Sequence, residues 1–274
     1  MTAAPAAPTN PGSATTLLEG SGLTKRYGGV VALDDARIRL DAGEVLGLVG
    51  PNGAGKTTLV DLISGAQSAT SGELRLQGRP LDGPASRRAR AGLARTFQHP
   101  LLAGDLTVAD NLLVGSTAQQ FRTPTQMVRG MFRGIARGAA PSEYERIDAL
   151  AEELKLGDTT RLARDLTLGE QRLLEVARAL LQDPVVMLLD EPFAGADAEG
   201  VEGIVDALRT VQRRGHGVIL VDHNVDLVAS VVDRIMLLAE GRVRFDGDPT
   251  ECLSSTEMRA VYFGVEDEEA PDVA

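Results

Sequence analysis

Short, uninterrupted apolar runs alternate with turn residues in the first and last thirds of the chain. Glu44–Val49, Val185–Asp190 and Gly217–Val221 are three such runs. An apolar run without alternation, bounded by turn residues, is typical of a strand that is buried on both faces, as in a parallel sheet. These runs therefore predict a parallel sheet inside an α/β fold.

A second set of segments alternates between apolar and polar residues. Two antiparallel strands are predicted within residues 23–40, a short strand within 72–78, and a hairpin within 234–245. Residues 87–94 predict a basic helix, and the strand that follows is expected to end at Gln98, before a proline.

The apolar spacing becomes helical between Leu106 and Leu181. Thr107 predicts the capped start of one helix, and Pro141 begins another that runs through Leu154. Thr167 and Glu170 form a capping-box pattern, which by itself indicates no more than a helix start. A basic stripe in this region fits either a solvated helix face or a contact with an acidic or membrane-proximal partner. The stripe comprises Arg129, Arg133 and Arg137.

A glycine-rich loop between the first buried strand and a helical segment matches G-x-x-x-x-G-K-[ST]. The loop comprises Gly50, Pro51, Asn52, Gly53, Ala54, Gly55, Lys56, Thr57 and Thr58. Its glycines allow backbone N–H groups to turn toward phosphate oxygens, and a helix starting near Lys56 adds its positive end. Lys56 is expected to reach the β- and γ-phosphates, and Thr57 to bind Mg²⁺. The sequence thus predicts a nucleoside triphosphate site.

Two carboxylates, Asp190 and Glu191, end the second buried strand. Ligands bind at the carboxyl ends of parallel strands, which places these acids beside the phosphate loop. Since adjacent strand residues point to opposite sides, the two acids are expected to differ in role. One would hold Mg²⁺ and the other would polarise the attacking water.

Three further polar residues have two interpretations each. His223 ends the third buried strand and fits either a γ-phosphate contact or a structural role. Gln98 fits either a metal-bound water or the protein surface. Tyr27 fits either an adenine-stacking ring or ordinary packing.

Composition narrows the function classes. The chain has 274 residues, a formal net charge of −11 and a single cysteine, Cys252. The acidic balance argues against a nucleic-acid surface, and one cysteine excludes an internal disulfide and favours a reducing cytoplasm. No apolar run is long enough to cross a bilayer, and the N-terminus lacks the features of a secretion signal.

These motifs, taken in order, resemble the ATPase subunit of ATP-binding cassette (ABC) transporters over residues 17–264. The resemblance implies an α/β P-loop nucleotide triphosphatase (RecA-like) core with an antiparallel β-subdomain and an inserted α-helical subdomain. The expected divisions are a disordered tail (1–16), the core (17–99 and 185–250), the helical subdomain (100–184), a C-terminal extension (251–264) and an acidic tail (265–274).

The resemblance also assigns roles. Tyr27 matches the adenine-stacking aromatic residue, Gln98 the glutamine that touches Mg²⁺ and water, and His223 the switch histidine. Asp190 matches the magnesium-side acid, and Glu191 the catalytic base. The family signature LSGGQ corresponds to Leu166, Thr167, Leu168, Gly169 and Glu170, and the acid of the loop that communicates across the dimer corresponds to Asp197. Leu168 replaces a glycine of that signature.

Residues 95–99, the arginine-rich insert and residues 259–264 resemble the ATPase subunits of branched-chain amino acid importers. The resemblance implies ATP and Mg²⁺ as ligands, a head-to-tail dimer with a second ATPase subunit, and transmembrane permease subunits on other chains. It also implies a peripheral location on the cytoplasmic face of the membrane, without a nucleic-acid partner, and a solute-binding protein if the transporter is an importer. The alternatives are a urea or amide importer, a lipopolysaccharide exporter, and a non-transport ABC ATPase.

Overall fold

The computed structural model describes residues 15–97, 100–118 and 141–263. Gln98, the basic stripe at Arg129–Arg137 and the acidic tail lie outside the described residues, as do residues 1–14. Thr16 already belongs to the first strand, at the end of the segment expected to be disordered.

Ten strands and nine α-helices occur in the described part of the chain. The strands are β1 (Thr16–Tyr27), β2 (Val30–Asp41), β3 (Val45–Val49), β4 (Ser71–Leu76), β5 (Arg79–Pro80), β6 (Leu93–Arg95), β7 (Val186–Asp190), β8 (Gly217–Val221), β9 (Arg234–Ala239) and β10 (Arg242–Gly247). The helices are α1 (Lys56–Ser64), α2 (Ala85–Arg90), α3 (Val108–Ala118), α4 (Pro141–Glu153), α5 (Leu168–Leu180), α6 (Ala198–Arg213), α7 (Val225–Val231), α8 (Pro249–Ser254) and α9 (Thr256–Phe263).

The strands form two sheets. A six-stranded sheet has the order β10-β9-β3-β8-β7-β6, in which β10 is antiparallel at one edge and the other pairs are parallel. A four-stranded antiparallel sheet has the order β2-β1-β4-β5. The predicted parallel sheet, the antiparallel strands and the hairpin are therefore confirmed.

The six-stranded sheet separates two apolar cores, because successive residues of its buried strands face opposite sides. On β7, Val186 and Leu188 face helix α1 and the four-stranded sheet, whereas Met187 and Leu189 face the core that includes helices α3 to α6. Asp190 continues the alternation of Val186 and Leu188. The sheet thus delivers this acid to the side on which helix α1 lies.

Several predicted element ends were wrong. Helix α2 ends at Arg90 rather than Ala94, since Gly92 follows with a φ of +109°, and strand β6 ends at Arg95 rather than Gln98. Glu191 is not a strand residue: β7 ends at Asp190, and Glu191 has a φ of +50°. The chain therefore turns sharply between the two acids.

The described residues between β6 and β7 (100–118 and 141–185) are mainly helical, as predicted. Helix α3 begins after Thr107, whose hydroxyl accepts a hydrogen bond from the Asp110 N–H at 3.1 Å, and helix α4 begins at Pro141. The C-terminal extension forms helices α8 and α9, which are separated by Ser255. Within the described ranges, the helices are all too short or too polar to traverse a bilayer.

Candidate functional site

The phosphate loop follows β3 and has a backbone that only glycine accommodates at two positions. Gly50 has a φ of +148°, and a Cβ atom there would overlap the carbonyl oxygen of Leu238 on β9. Gly55 has a φ of +104°, and its Cβ atom would lie 2.7 Å from the carbonyl oxygen of Ala32 on β2. The loop is therefore wedged between strands of both sheets, which fixes its shape.

Helix α1 starts directly behind this loop, with Gly55 at the N-cap and no side chain capping its first N–H groups. The positive end of the helix is therefore directed at the loop, an arrangement that suits an anion. The Lys56 amine donates hydrogen bonds to the carbonyl oxygens of Gly50 (2.6 Å) and Pro51 (3.0 Å), so it lies across the loop. Burial lowers the pKa of Lys56, and the charges of Glu191 and Asp190 oppose that shift.

The two acids lie where β7 leaves the sheet. The Asp190 N–H donates to the Thr96 hydroxyl at 3.3 Å, and the Glu191 N–H donates to the carbonyl oxygen of Val221 on β8 at 2.7 Å. A positive φ at a residue other than glycine costs about 1 kcal/mol or more and is found often at functional sites. Since both acids act on the charge of Lys56, the structure brings them together with the phosphate loop.

His223 follows β8 with an exposed side chain, and its Nδ1 lies 3.5 Å from Oδ1 of Asp222. Asp222 is buried and accepts a hydrogen bond from the Asn224 N–H at 3.0 Å, which holds the turn into helix α7. His223 therefore follows β8, the strand that pairs with β7, which ends immediately before Glu191.

Tyr27 lies at the tip of the β1–β2 hairpin, with nearly half of its surface exposed. The Lys25 amine lies 5.0 Å from the centre of its ring, and its hydroxyl donates to Oε1 of Gln67. Gln67 in turn donates from Nε2 to Asp61 on helix α1 at 3.1 Å. These contacts hold the ring at the surface beside the helix that carries the phosphate loop.

The signature residues form a second group, at the N-terminus of helix α5. Glu170 N–H donates to the Thr167 hydroxyl at 3.3 Å, and Thr167 N–H donates to Oε2 of Glu170 at 2.6 Å, which confirms the predicted capping box. Arg161 donates to the same carboxylate from both terminal guanidinium nitrogens, Nη1 at 2.6 Å and Nη2 at 3.2 Å. This hydrogen-bonded ion pair lowers the pKa of Glu170. The Glu170 carboxylate therefore stabilises the start of helix α5 through these hydrogen bonds.

Helix α6 packs against this group at very short range. A Cβ atom on Gly169 would lie 2.8 Å from the Cα atom of Gly200, and the Leu168 side chain covers Gly195. Asp197 caps helix α6 by accepting a hydrogen bond from the Gly200 N–H at 2.9 Å. Asp197 and the signature residues are therefore neighbours, and Leu168 remains 40% exposed beside them.

Sequence reasoning missed a set of charged residues around Phe97 and Leu101, which flank Gln98. Arg172 on helix α5 donates to the carbonyl oxygen of Phe97 at 2.6 Å. Farther along the same helix, Glu175 accepts from the Leu101 N–H at 3.4 Å, and Arg178 donates to the carbonyl oxygen of Leu101 at 2.7 Å. The sequence shows these charged residues at positions i, i+3 and i+6 of a largely apolar helix, but it does not show which groups they contact.

Two residues outside the sequence motifs, Tyr262 and Cys252, have pKa values raised by burial. Burial raises the pKa of Tyr262, on helix α9, and the nearby backbone of Gly50 opposes that shift. Cys252, on helix α8, is buried, and burial raises the pKa of its thiol to about 11. A thiol with so high a pKa is a poor nucleophile, and Cys252 belongs to the apolar core as a small buried residue.

The donor set fits magnesium bound together with nucleotide. Nowhere in residues 15–97, 100–118 and 141–263 do three acidic, histidine or cysteine side chains converge as a metal cage. Magnesium is usually bound by one or two protein oxygens together with substrate phosphates, which matches one hydroxyl (Thr57) and one carboxylate (Asp190) beside a phosphate cradle. The cradle itself excludes any side chain at Gly50.

Comparison with known proteins yields a consistent set of matches. The family profile described as ABC transporter matches residues 33–194. The chain is 35% identical over 255 residues to the high-affinity branched-chain amino acid transport ATP-binding protein BraF of Pseudomonas aeruginosa, covering 90% of this chain and 98% of that protein. It is 36% identical over 252 residues to the lipopolysaccharide export system ATP-binding protein LptB of Acidithiobacillus ferridurans, covering 90% and 97%.

A solved structure shares the fold. The crystal structure of an ATP-binding cassette of an ABC transporter, in its ADP conformation, superimposes with a TM-score of 0.78 at 26% identity. The match covers 91% of this chain and 99% of that one. Nearly the whole described chain is therefore accounted for by one cassette.

Proposed function

The chain is an ATP-binding, ATP-hydrolysing member of the ABC transporter family, and we propose that it powers the uptake of branched-chain or related amino acids through a membrane transporter. One observation carries the proposal: a phosphate cradle and two strand-end acids meet at Lys56 in a chain that aligns with an amino acid transport protein over 90% of its length.

In the proposed reaction, loop N–H groups and Lys56 bind the triphosphate and orient its γ-phosphate. Thr57, Gln98 and Asp190 would hold Mg²⁺, which neutralises charge on the phosphates. Glu191 accepts a proton from a water molecule as the water oxygen attacks the γ-phosphorus and the bond to the bridging oxygen of ADP breaks. His223 donates a hydrogen bond to the γ-phosphate. The products are ADP and inorganic phosphate.

Glu191 suits the role of base because the turn after β7 separates it from Asp190. The Asp190 carboxylate accepts a hydrogen bond from Arg95 on the side of helix α1, whereas Glu191 follows in a turn with a positive φ. Two neighbouring acids thus serve two functions, one toward the metal and one toward water. Tyr27 would stack on the adenine ring at the edge of the same site.

We propose that the active unit is a head-to-tail dimer of ATPase subunits. Thr167 and Leu168 are exposed at the start of helix α5, whereas Gly169 is buried against Gly200. The backbone and hydroxyl of this helix start suit the phosphates of ATP bound by the other subunit. Asp197 would contact that subunit beside them. Binding of ATP on both sides closes the dimer, and hydrolysis removes the contacts that favour the closed state.

The remaining partners follow from transport. Permease subunits on separate chains would form the membrane path, with this chain peripheral on the cytoplasmic face, and an extracytoplasmic binding protein would deliver the solute. A second candidate is lipopolysaccharide export, because identity to an export ATPase is equally high. A urea or amide importer fits the same geometry, whereas a nucleic-acid partner conflicts with the net charge of −11.

The test combines trapping with uptake. Glu191→Gln should retain ATP but nearly abolish hydrolysis, and the closed complex should be purified from native membranes with the proteins bound to it. Glu202→Gln, the same change on the exposed face of helix α6, is the matched control and should hydrolyse ATP normally.

Multi-spanning membrane proteins together with loss of labelled leucine uptake in a deletion strain would support the proposal. Co-purification of lipopolysaccharide export components with normal leucine uptake would favour export instead. Recovery of ribosomal or DNA-repair proteins without any membrane protein would overturn the transport function, and full hydrolysis by Glu191→Gln would remove Glu191 from the role of base.

A further inference from the structure

We infer that Arg95 is a positioning residue for Asp190 that tunes this acid to bind a divalent cation together with nucleotide rather than alone. The inference rests on the proposed magnesium role of Asp190. It concerns a residue to which the sequence assigns no role of its own, and its evidence is a bridge of ion pairs beside helix α1.

The sheet places Arg95 and Asp190 on the same side. Strand β6 runs parallel to β7, with Arg95 opposite Leu188, two residues before Asp190. Because residues two apart on a strand share a face, the two side chains extend toward helix α1 together. Nη2 of Arg95 lies 3.1 Å from Oδ2 of Asp190.

The other arm of the same guanidinium holds helix α1. Nη1 of Arg95 lies 2.7 Å from Oδ1 of Asp61 and donates to the Ser64 hydroxyl at 3.1 Å. The side chains of Arg95, Asp61 and Asp190 are 14%, 18% and 19% exposed, so these ion pairs are largely shielded from solvent. The Phe97 ring lies 5.5 Å from the guanidinium and covers it further.

The charge of the bridge explains what it does to Asp190. Two carboxylates and one guanidinium give a formal charge of −1, and without the guanidinium the same place would carry −2. Arg95 also occupies one of the two carboxylate oxygens. A lone cation therefore meets one oxygen and a reduced negative charge, whereas the phosphates of ATP supply the missing ligands and charge.

A lysine could not reproduce the bridge. Arginine presents several N–H donors in a rigid planar fork, which allows one side chain to hold two carboxylates at fixed positions. The lysine ammonium is a compact charge on a flexible stem and would pair with either acid alone. Arg95→Lys should therefore keep a positive charge near Asp190 but lose the fixed orientation that the planar guanidinium gives to this carboxylate.

The experiment measures Mn²⁺ binding by electron paramagnetic resonance, with and without ATP, on the full chain. Arg95→Met should raise the affinity for Mn²⁺ without nucleotide by about tenfold, because the acid regains its second oxygen and loses its neutralising partner. Asp61→Asn should lower that affinity, because Arg95 then acts on Asp190 alone. Arg95→Lys should lie between wild type and Arg95→Met. Arg75→Met, at an exposed pair with Glu73, is the control and should match wild type.

Opposite shifts in Arg95→Met and Asp61→Asn are a result that a merely structural bridge would not produce, since both changes break the same bridge. Equal affinities in wild type and both variants, or a decrease in both, would overturn the inference. A wild-type chain whose Mn²⁺ affinity ATP does not increase would instead count against the proposed function. If Arg95→Met does not fold, Arg95→Lys takes its place: an affinity for Mn²⁺ above that of wild type supports the inference, and an equal or lower affinity overturns it.

Discussion

Arg172 and Glu175 form a buried ion pair on helix α5, and removing its positive partner tests how the segment around Gln98 is held. The two side chains are 4% and 3% exposed, and Nη1 of Arg172 lies 3.9 Å from Oε2 of Glu175. The perturbation is Arg172→Met, which keeps a long apolar side chain and removes the charge. It also removes the hydrogen bond to the Phe97 carbonyl oxygen.

Breaking a buried pair by removing one partner typically lowers the free energy of unfolding by about 3–5 kcal/mol. We expect a loss of about 3 kcal/mol, at the lower end, because the positive charge of Arg178 still acts on Glu175. The matched control is Arg209→Met on helix α6, where an exposed pair with Asp206 has the same i, i+3 spacing. Its expected loss is about 0.5 kcal/mol or less.

The loss should also depend on pH. Burial raises the pKa of Glu175 above its ordinary value even with Arg172 present, and loss of Arg172 raises it further. A carboxyl whose pKa is raised by folding binds a proton more tightly in the folded state, so the folded state gains stability as pH falls through the raised pKa. The penalty of Arg172→Met should therefore be largest near about pH 8 and smaller near about pH 5.5.

The assay is urea unfolding followed by circular dichroism at both pH values, for wild type, both single variants and the double variant Arg172→Met/Glu175→Leu. The double variant should recover most of the stability, because no unpaired charge remains buried. A loss at high pH no greater than that of Arg209→Met would refute the reasoning. A large loss that is the same at both pH values would show that the missing Phe97 hydrogen bond, not the charge of Glu175, is responsible.

Two further predictions concern the start of helix α5. Thr167→Ala should lower the free energy of unfolding by about 1 kcal/mol, because it removes one half of the capping box. Thr167→Ser keeps the hydroxyl and should not lower it. Urea unfolding measures both variants, and an equal loss in the two would contradict the capping explanation. Leu168→Glu should leave the fold intact, since an acid is favourable in the first turn of a helix, yet abolish ATP-dependent dimerisation of a chain that also carries Glu191→Gln. Light scattering with ATP measures the latter, and a persistent dimer would exclude Leu168 from the interface.

The features predicted correctly from the sequence are those that depend on neighbours in the chain. The positions of Gly50 and Gly55, the start of helix α1 at Lys56 and the capping box at Thr167 follow from local conformational preference and hydrogen bonding. The buried strands follow from the length of their apolar runs. Family resemblance then ordered these elements, and the solved cassette structure accounts for the same arrangement.

The errors share a different origin. The end of helix α2 depends on Gly92, whose φ of +109° brings it against Val185 at the start of β7, a contact between segments far apart in sequence. The positive φ of Glu191 depends on its N–H bonding to β8. The partners of Arg95 lie on two other elements. Strand periodicity and spacing carry no information on any of these contacts.

The separation of the two acids illustrates the difference. Alternation along a strand predicts that Asp190 and Glu191 differ in direction, and that expectation assumes that both residues are extended. In the structure the strand ends between them, so a turn rather than the pleat separates their side chains. The two acids are still expected to differ in role, but a turn rather than strand alternation is the cause. Because the Glu191 N–H bonds to Val221 on β8, the position of Glu191 depends on that strand.

The missed charges also connect the two groups of the site. Arg172 leaves the helix that begins at the signature residues and binds the Phe97 carbonyl oxygen, and the Phe97 ring lies against Arg95, which holds Asp190. The hydrogen bond from Arg172 to Phe97 is 2.6 Å long, so a shift of helix α5 must either break this hydrogen bond or move that backbone. Breaking it removes one hydrogen-bond acceptor from a buried guanidinium, which is the less favourable outcome. The backbone should therefore follow the helix, and a contact made at Thr167 by a second subunit would reach the acid that we propose binds the metal.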